Sequence, residues 1–190
     1  CSLCDAGKYS TVVGATASAV CQNCGVGKYL TATGSDSATD CQPCDAGKYS
    51  TTVGAALESN CVVCGVGKYS ESSGNSAESD CILCPFGKYS ESTGRASASD
   101  CQDCVAGKYS TTQGSSSESN CILCAVGKYG TSAGAIDVAV CQNCAAGKYL
   151  ATTGNDAESD CVGCPKGKYS SLEGATSCDV CGVGKYLDTT

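Results

Sequence analysis

Two cysteines recur every twenty residues along this chain, and their spacing limits the possible folds more than any other feature. The first member of each pair stands at 1, 21, 41, 61, 81, 101, 121, 141 and 161, and the second stands three residues later. Gly-Lys-Tyr recurs with the same period from residues 7–9, and a second glycine recurs from Gly14. Such a period predicts an array of small units that fold only by contacting their neighbours.

We predict one tandem array over residues 1–190, with a unit beginning at the first cysteine of each pair. The last full unit, which begins at Cys161, is three residues shorter in its variable tail, and a partial unit begins at Cys178. Because the deletion falls in the tail, we expect the tail to be a surface loop and the first half of the unit to be the frame. A chain that starts on Cys1 and contains no Met is expected to be a processed product or a segment of a longer protein.

The composition argues against one large hydrophobic core. The chain has no Trp, Met or His and a single Phe, whereas Cys accounts for twenty of its 190 residues. A cysteine content above a tenth is typical of scaffolds held by disulfides. We therefore predict a small disulfide-rich repeat array of short β-hairpins and turns, arranged as an elongated rod or solenoid with little or no helix.

The residues kept in every unit have local structural interpretations. The first glycine ends a tight turn, Lys-Tyr-Ser forms a brief strand, and the second glycine permits a chain reversal. We expect each tyrosine ring to pack against the cystine of its own unit or of the next unit. These predicted repeat-core aromatic residues are Tyr9, Tyr29, Tyr49, Tyr69, Tyr89, Tyr109, Tyr129, Tyr149, Tyr169 and Tyr186.

Three arrangements of the cysteines are compatible with the spacing. Two Cys-x-x-Cys pairs separated by sixteen residues could hold zinc, but each such site would use two units, and the sequence rhythm is twenty residues rather than forty. A disulfide inside each Cys-x-x-Cys would close only a small ring and would constrain the unfolded chain very little. Both arrangements stay open as alternatives.

The third arrangement, which we favour, joins the second cysteine of each pair to the first cysteine of the next. Each bridge closes a loop of about seventeen residues, which chain-entropy models value at about 3 kcal/mol. Cys1 and Cys181 then have no partner within this segment. The predicted bridges are Cys4–Cys21, Cys24–Cys41, Cys44–Cys61, Cys64–Cys81, Cys84–Cys101, Cys104–Cys121, Cys124–Cys141, Cys144–Cys161 and Cys164–Cys178.

The stretch CPKGKYSSLEGATSC, residues 164–178, resembles the ephrin-receptor-like cysteine-rich repeat of extracellular proteins. That pattern runs C-x-x-G-x-Y-S, then G-A-T-S-C and a following C-x-x-C. The chain is also similar to the first loop module of tumour-necrosis-factor-receptor cysteine-rich domains. The resemblance extends unit by unit over essentially the whole chain, and it implies the Cys164–Cys178 bridge, a fold of turns and short hairpins, and an extracellular location. It does not imply one function, because the family occurs in receptors, adhesins and matrix proteins.

Most chemical functions are disfavoured by what the sequence lacks. Without His there is no common general base, so we predict no catalytic residues, no enzyme activity and no cofactor or metal site. A net charge of −7 disfavours nucleic acid as a partner, and no apolar run reaches the roughly eighteen residues of a membrane span. Calcium binding by the Asp and Asn residues that precede many cysteines is disfavoured because a twelve-residue calcium loop is absent.

The leading hypothesis is a structural protein, secreted or on the cell surface, that forms a rod or filament as part of a fibre, surface appendage or matrix. Its predicted partners are identical chains or neighbouring repeats, and O-linked glycans on its many Ser and Thr residues. The alternative is the stalk or ectodomain of a cell-surface receptor or adhesin that binds a protein ligand. An intracellular zinc protein is a third hypothesis.

Overall fold

The computed structural model describes residues 1–186 as short strands and single turns of 3-10 helix. All strands are two residues long, and all helices in this described part are three residues long. The strands are Lys8–Tyr9, Gln22–Asn23, Lys28–Tyr29, Gln42–Pro43, Lys48–Tyr49, Val62–Val63, Lys68–Tyr69, Ile82–Leu83, Lys88–Tyr89, Gln102–Asp103, Lys108–Tyr109, Ile122–Leu123, Lys128–Tyr129, Gln142–Asn143, Lys148–Tyr149, Val162–Gly163, Lys168–Tyr169 and Asp179–Val180. The helices are Ser18–Val20, Ala38–Asp40, Glu58–Asn60, Glu78–Asp80, Ala98–Asp100, Glu118–Asn120, Val138–Val140 and Glu158–Asp160.

The chain divides into two compact units. The first comprises Cys1–Cys84 and Ser90–Cys101, and the second comprises Pro85–Tyr89 and the chain from Gln102 onward. Both are built from the same twenty-residue repeat, whose positions we number from its first cysteine. The contacts between repeats described below all lie within one unit or the other.

A two-stranded antiparallel hairpin is the basic element of each repeat. The Lys-Tyr strand at positions 8 and 9 pairs with the two residues between the cysteines of the next pair, as in Tyr69 with Ile82 and Lys68 with Leu83. The turn before the strand is closed by a hydrogen bond from the Lys48 N–H to the Asp45 carbonyl, at 3.1 Å. Gly47 has a φ of +76° and is the third residue of that turn, not the last as we expected from the sequence. A positive φ at the third position defines a type II turn, and glycine adopts it without strain.

Besides the hairpin and the bond of the second cysteine, three further backbone hydrogen bonds join neighbouring repeats within each unit. In the first unit, Gly27 N–H donates to the Ser50 carbonyl at 2.8 Å, and Leu30 N–H donates to the Ala55 carbonyl at 3.0 Å. In the opposite direction, Gly54 N–H donates to the Cys24 carbonyl at 2.8 Å. Equivalent bonds recur in the second unit, for example from Gly107 to Gly130 and from Gly134 to Cys104. The Lys-Tyr strand is therefore bonded to the next repeat on both sides. Its hairpin partner lies on one side, as Gln42 beside Tyr29, and a parallel bridge such as Tyr29 with Ala55 lies on the other.

Within each unit, two glycines bring several repeats against the repeat two steps further along the chain. A Cβ atom added to Gly27 would lie 2.2 Å from the Gly74 carbonyl oxygen. In the second unit, a Cβ on Gly107 would lie 2.3 Å from the Gly154 carbonyl oxygen. No side chain fits at such distances, because the atom in the way belongs to backbone. This contact requires glycine at position 7 of these repeats, whereas glycine at position 14 is favoured by its positive φ, as at Gly74 with +73°.

The core consists mainly of sulfur and small side chains. The second cysteine of most pairs is fully buried, with no exposed surface at Cys24, Cys44, Cys64, Cys84, Cys104, Cys124 and Cys144. Position 10 is buried beside them and is occupied mostly by serine, as in Ser50, Ser70 and Ser110. Disulfides, repeated hairpins and helices of only one turn confirm the predicted fold class of a small disulfide-rich array.

Replacing Gly107 by Ala is predicted to destabilise the protein more than replacing Gly147 by Ala. Both glycines have positive φ, +79° and +83°, so each substitution should cost about 1–2 kcal/mol for a left-handed backbone. Only at Gly107 does the new Cβ meet a backbone oxygen, because nothing lies within 4 Å of a Cβ at Gly147. We expect Gly107→Ala to lower the free energy of unfolding by about 1–3 kcal/mol more than Gly147→Ala. Guanidinium unfolding midpoints of the two variants measure this difference. Equal losses would show that the close approach between repeats contributes nothing.

Candidate functional site

Nine disulfides within the described residues form the central feature of both units. They join Cys4–Cys21, Cys24–Cys41, Cys44–Cys61, Cys64–Cys81, Cys84–Cys101, Cys104–Cys121, Cys124–Cys141, Cys144–Cys161 and Cys164–Cys178. The structure thus brings together the pairs of the favoured arrangement. Cys1 and Cys181 are free thiols, the first exposed and the second half-buried.

Backbone hydrogen bonds position the second cysteine of each pair for its bridge. Cys104 N–H donates to the Gly87 carbonyl at 2.8 Å, and Cys124 N–H donates to the Gly107 carbonyl at the same distance. The hairpin ladder and the bridge therefore hold the same loop closed. The Cα atoms of Cys104 and Cys121 are 5.8 Å apart, a usual separation for bridged cysteines.

The tyrosine rings pack mainly against the cystine of the next repeat. Tyr129 contacts the buried Cys144 and Cys161, and Tyr89 contacts Cys104 and Cys121. Tyr9 packs in the same way against Cys24 and Cys41. Burial differs along the array: Tyr89 and Tyr129 are buried, Tyr169 and Tyr186 are exposed, and the other tyrosines are half-buried. Of the two placements we considered, these clusters show the one in which a ring joins neighbouring repeats.

The hydroxyl of some tyrosines bonds the residue opposite it in the hairpin. Tyr9 donates to the Gln22 side-chain oxygen at 3.0 Å, and Tyr129 donates to that of Gln142 at 3.2 Å. The opposite residue is apolar in other repeats, as in Ile82 beside Tyr69. Because the register is the same in both cases, the hairpin does not depend on the identity of this residue.

The repeated lysines form ion pairs at the surface. Lys68 lies 2.7 Å from Glu78, and Lys108 lies 2.7 Å from Glu118, across the ten residues from the strand to the tail. Lys88 pairs instead with Asp103, which is opposite it in the hairpin. Pairs this exposed contribute little to stability, because water and salt screen the attraction. We interpret the lysine row as part of the solvated surface.

The Asp or Asn before many first cysteines caps the short helix of the tail. Asp80 accepts hydrogen bonds from the backbone N–H groups of Ser76 and Ala77, at 2.7 and 3.0 Å. Asn120 accepts a bond from the Ser117 N–H at 3.1 Å. These backbone bonds lower the pKa of Asp80 below its ordinary value. The sequence contains the signal for this role, a Ser-x-x-Asp capping pattern such as Ser97 to Asp100, which we had not recognised.

Neither a metal centre nor a membrane span was located among the residues that the structure describes. Residues 1–186 contain no group of three or more His, Cys, Asp or Glu side chains able to hold a metal ion. No helix in that range is long and apolar enough to cross a bilayer. The zinc interpretation would need thiolates from cysteines that are here bonded to each other.

Exposed apolar pairs occur in some repeats, between the two cysteines. In the first unit these are Val62 with Val63 and Ile82 with Leu83, each side chain 44–52% exposed. Other repeats have polar residues there, such as Gln22 with Asn23, on strands that pair in the same register. The fold therefore does not require apolar residues at these positions, and they are candidates for contact with another molecule.

Comparison with known protein families identifies the repeat. The family model described as tyrosine-protein kinase ephrin type A/B receptor-like matches residues 47–101, 74–121 and 152–190, which together make up more than half of the chain. The comparison with curated proteins found no match. The matched segments contain four of the nine bridges described above, Cys64–Cys81, Cys84–Cys101, Cys104–Cys121 and Cys164–Cys178.

Removing the Cys104–Cys121 bridge with the double substitution C104A/C121A is predicted to lower the free energy of unfolding by about 3 kcal/mol or more. Opening the loop accounts for about 3 kcal/mol, and two buried sulfurs leave a void besides. C164A/C178A is the control, because it opens a loop of similar length whose Cys178 is only half-buried. Urea unfolding of both variants measures the difference. An equal or smaller loss for C104A/C121A would show that cystine packing adds nothing to loop closure.

The cap formed by Asp80 is predicted to lose its stabilising effect in acid. Because folding lowers the pKa of Asp80, the carboxylate stabilises the fold fully above its unfolded value of about 3.9. That contribution is lost as the pH falls through the lowered folded value. Asp80→Asn should keep the cap, as Asn60 and Asn120 do, and remove this share of the pH dependence. Melting curves in acid, with an NMR titration of the carboxyl carbon, test the prediction, and an ordinary pKa at Asp80 would contradict it.

Proposed function

Because the chain belongs to the tyrosine-protein kinase ephrin type A/B receptor-like family of cysteine-rich repeats, we propose that it is a structural segment whose repeats build an extracellular rod or filament. Repeats of this family are non-catalytic extracellular modules, and the disulfide-rich fold fits an extracellular or cell-surface location. In the proposal the whole of residues 1–190 is one array. The chain is not an enzyme and uses no cofactor.

One observation carries the proposal: within each unit, successive repeats are joined by the same contacts. The same three backbone hydrogen bonds and the same tyrosine-to-cystine packing recur within both units. A contact that repeats with every module adds length without a specialised site. Loop closure by a disulfide in each repeat keeps such an array folded without a large core.

The proposed partners are identical chains, neighbouring repeats of a longer array, and O-linked glycans. The exposed pairs Val62 with Val63 and Ile82 with Leu83 support contact between chains, because burying exposed apolar area is favourable by about 25 cal/mol per Å². Identical chains would each bring the same pairs to the contact.

Imaging and sedimentation of the purified protein test the proposal. We expect long particles by electron microscopy and an assembly that grows with protein concentration. The double variant I82Q/L83Q, which gives Gln opposite Tyr69 as Tyr9 already has, should weaken assembly while keeping the fold. Reduced and alkylated protein is the control, since it should lose both fold and assembly. Compact particles that stay monomeric at all concentrations would contradict the filament.

The same apolar pairs support a second candidate, a receptor or adhesin ectodomain. In that case Ile82 and Leu83 would contact a protein ligand instead of another copy of the chain. I82Q/L83Q would then leave the association state of the protein unchanged and would abolish its binding to cells that display the ligand. Measuring both the association state and the cell binding of I82Q/L83Q therefore distinguishes the filament from the receptor or adhesin ectodomain.

A further inference from the structure

We propose that the exposed tripeptide at positions 11–13 of each repeat carries O-linked sugar. This inference rests on the proposed extracellular function, and it assigns the glycans to particular residues. We call these segments the outer tripeptides; they are residues 11–13, 31–33, 51–53, 71–73, 91–93, 111–113, 131–133, 151–153 and 171–173.

Three groups of Ser and Thr hydroxyls in the array have different environments, and the remaining ones, such as Ser59, Ser79 and Ser116, lie in the tails. Most position 10 serines are buried, and Ser90 and Ser110 donate to nearby backbone carbonyls. Serines at position 17, such as Ser97, accept a backbone N–H and cap the tail helix. Both groups are used by the fold. The third group, in the outer tripeptides, is exposed at every one of its positions.

The outer tripeptides have the accessibility that a modifying enzyme needs. Their residues lie outside the strands and the helices of the described chain. Their backbone is fixed at the inner end, where Thr52 N–H and Thr112 N–H donate to the hydroxyls of Ser50 and Ser110. The side-chain hydroxyls of Thr51, Thr52 and Thr111 are left to solvent, whereas Thr152 donates to Asn155.

Every outer tripeptide has a Ser or Thr residue, but the position of that residue within the tripeptide differs between repeats. Every outer tripeptide contains Ser or Thr, and seven of the nine contain two. In residues 31–33 they are the first and third residues, in 51–53 the first two, and in 71–73 the last two. The positions whose hydroxyls serve the fold are not filled so widely, because position 10 is Leu30, Gly130 or Leu150 in some repeats and position 17 is Leu57 or alanine in others. A hydroxyl needed only as an exposed acceptor can stand at any of the three exposed residues, and each outer tripeptide has at least one.

The chemical step is a group transfer from an activated sugar, either a nucleotide sugar or a lipid-linked sugar phosphate. The Ser or Thr oxygen attacks the anomeric carbon, and a new carbon–oxygen bond forms there. The bond from the anomeric carbon to the phosphate oxygen breaks, and the phosphate departs with its electron pair. The hydroxyl proton passes to a base of the transferase, and no atom is oxidised or reduced.

Peptide mapping of the protein purified from the cells that produce it tests this assignment. Fragmentation that preserves sugars should place hexose or N-acetylhexosamine on Thr51 or Thr52 and on Thr111 or Thr112. Ser50 and Ser110, which are buried, and Ser97, which caps a helix, should be unmodified in the same spectra. Unmodified outer tripeptides in protein with intact disulfides would overturn the inference. So would sugar placed mainly on the capping serines.

The variant T51V/T52V provides the second readout. It should lose the sugar on residues 51–53 and keep the Cys44–Cys61 bridge, because neither side chain contributes to the fold. The matched variant S97A should keep every sugar. Assembly is measured on the same samples, so the two proposals fail separately. Filaments without sugar would overturn only the glycan assignment, and sugar on compact monomers would overturn only the filament.

Discussion

The disulfide from the second cysteine of one pair to the first cysteine of the next is the constraint on which the rest of the structure depends. Its effect on the unfolded chain, about 3 kcal/mol per loop, is large for a repeat whose buried side chains are a cystine, a serine and part of one tyrosine. The fully buried Cys104 also gives the preceding repeat a packing surface, because Tyr89 lies against it. One bond therefore both closes the loop and supplies the core, and the chain needs few large apolar residues.

Glycine extends the consequences of each bridge beyond the adjacent repeat. The approach of Gly27 to Gly74, and of Gly107 to Gly154, places backbone against backbone two repeats away. In a simple array, stability is the sum of terms for each repeat and for each pair of neighbours. Contacts between repeats two steps apart add a further contribution to the free energy of folding, and it is gained only when three successive repeats are folded. The repeat is thus cooperative over a longer stretch than its twenty-residue period suggests.

The sequence was sufficient to predict the period, the hairpin and the fold class, because each depends on residues close together in the chain. The pairing of Lys68 with Leu83 follows from the bridge around it, and the turn follows from the glycine. The contact of Gly27 with Gly74 could not be predicted, because it requires the angle between successive repeats. The one-turn helices were missed for another reason. Their apolar periodicity is too short to detect, and only the capping residues, such as Ser97 with Asp100, indicate them.

The residue type differs most between repeats at positions where backbone hydrogen bonds, rather than side chains, hold the fold. Positions 2 and 3 are held by backbone pairing, so they accept Gln22 and Asn23 in one repeat and Ile82 and Leu83 in another. The outer tripeptides are held by their flanking bonds, so their hydroxyls change position freely. Selection on contacts with other chains, ligands or modifying enzymes can therefore act on these two surfaces with little cost in stability. The glycines at positions 7 and 14 and the bridged cysteines have no such freedom, because any other residue there would strain a left-handed backbone or leave a loop open.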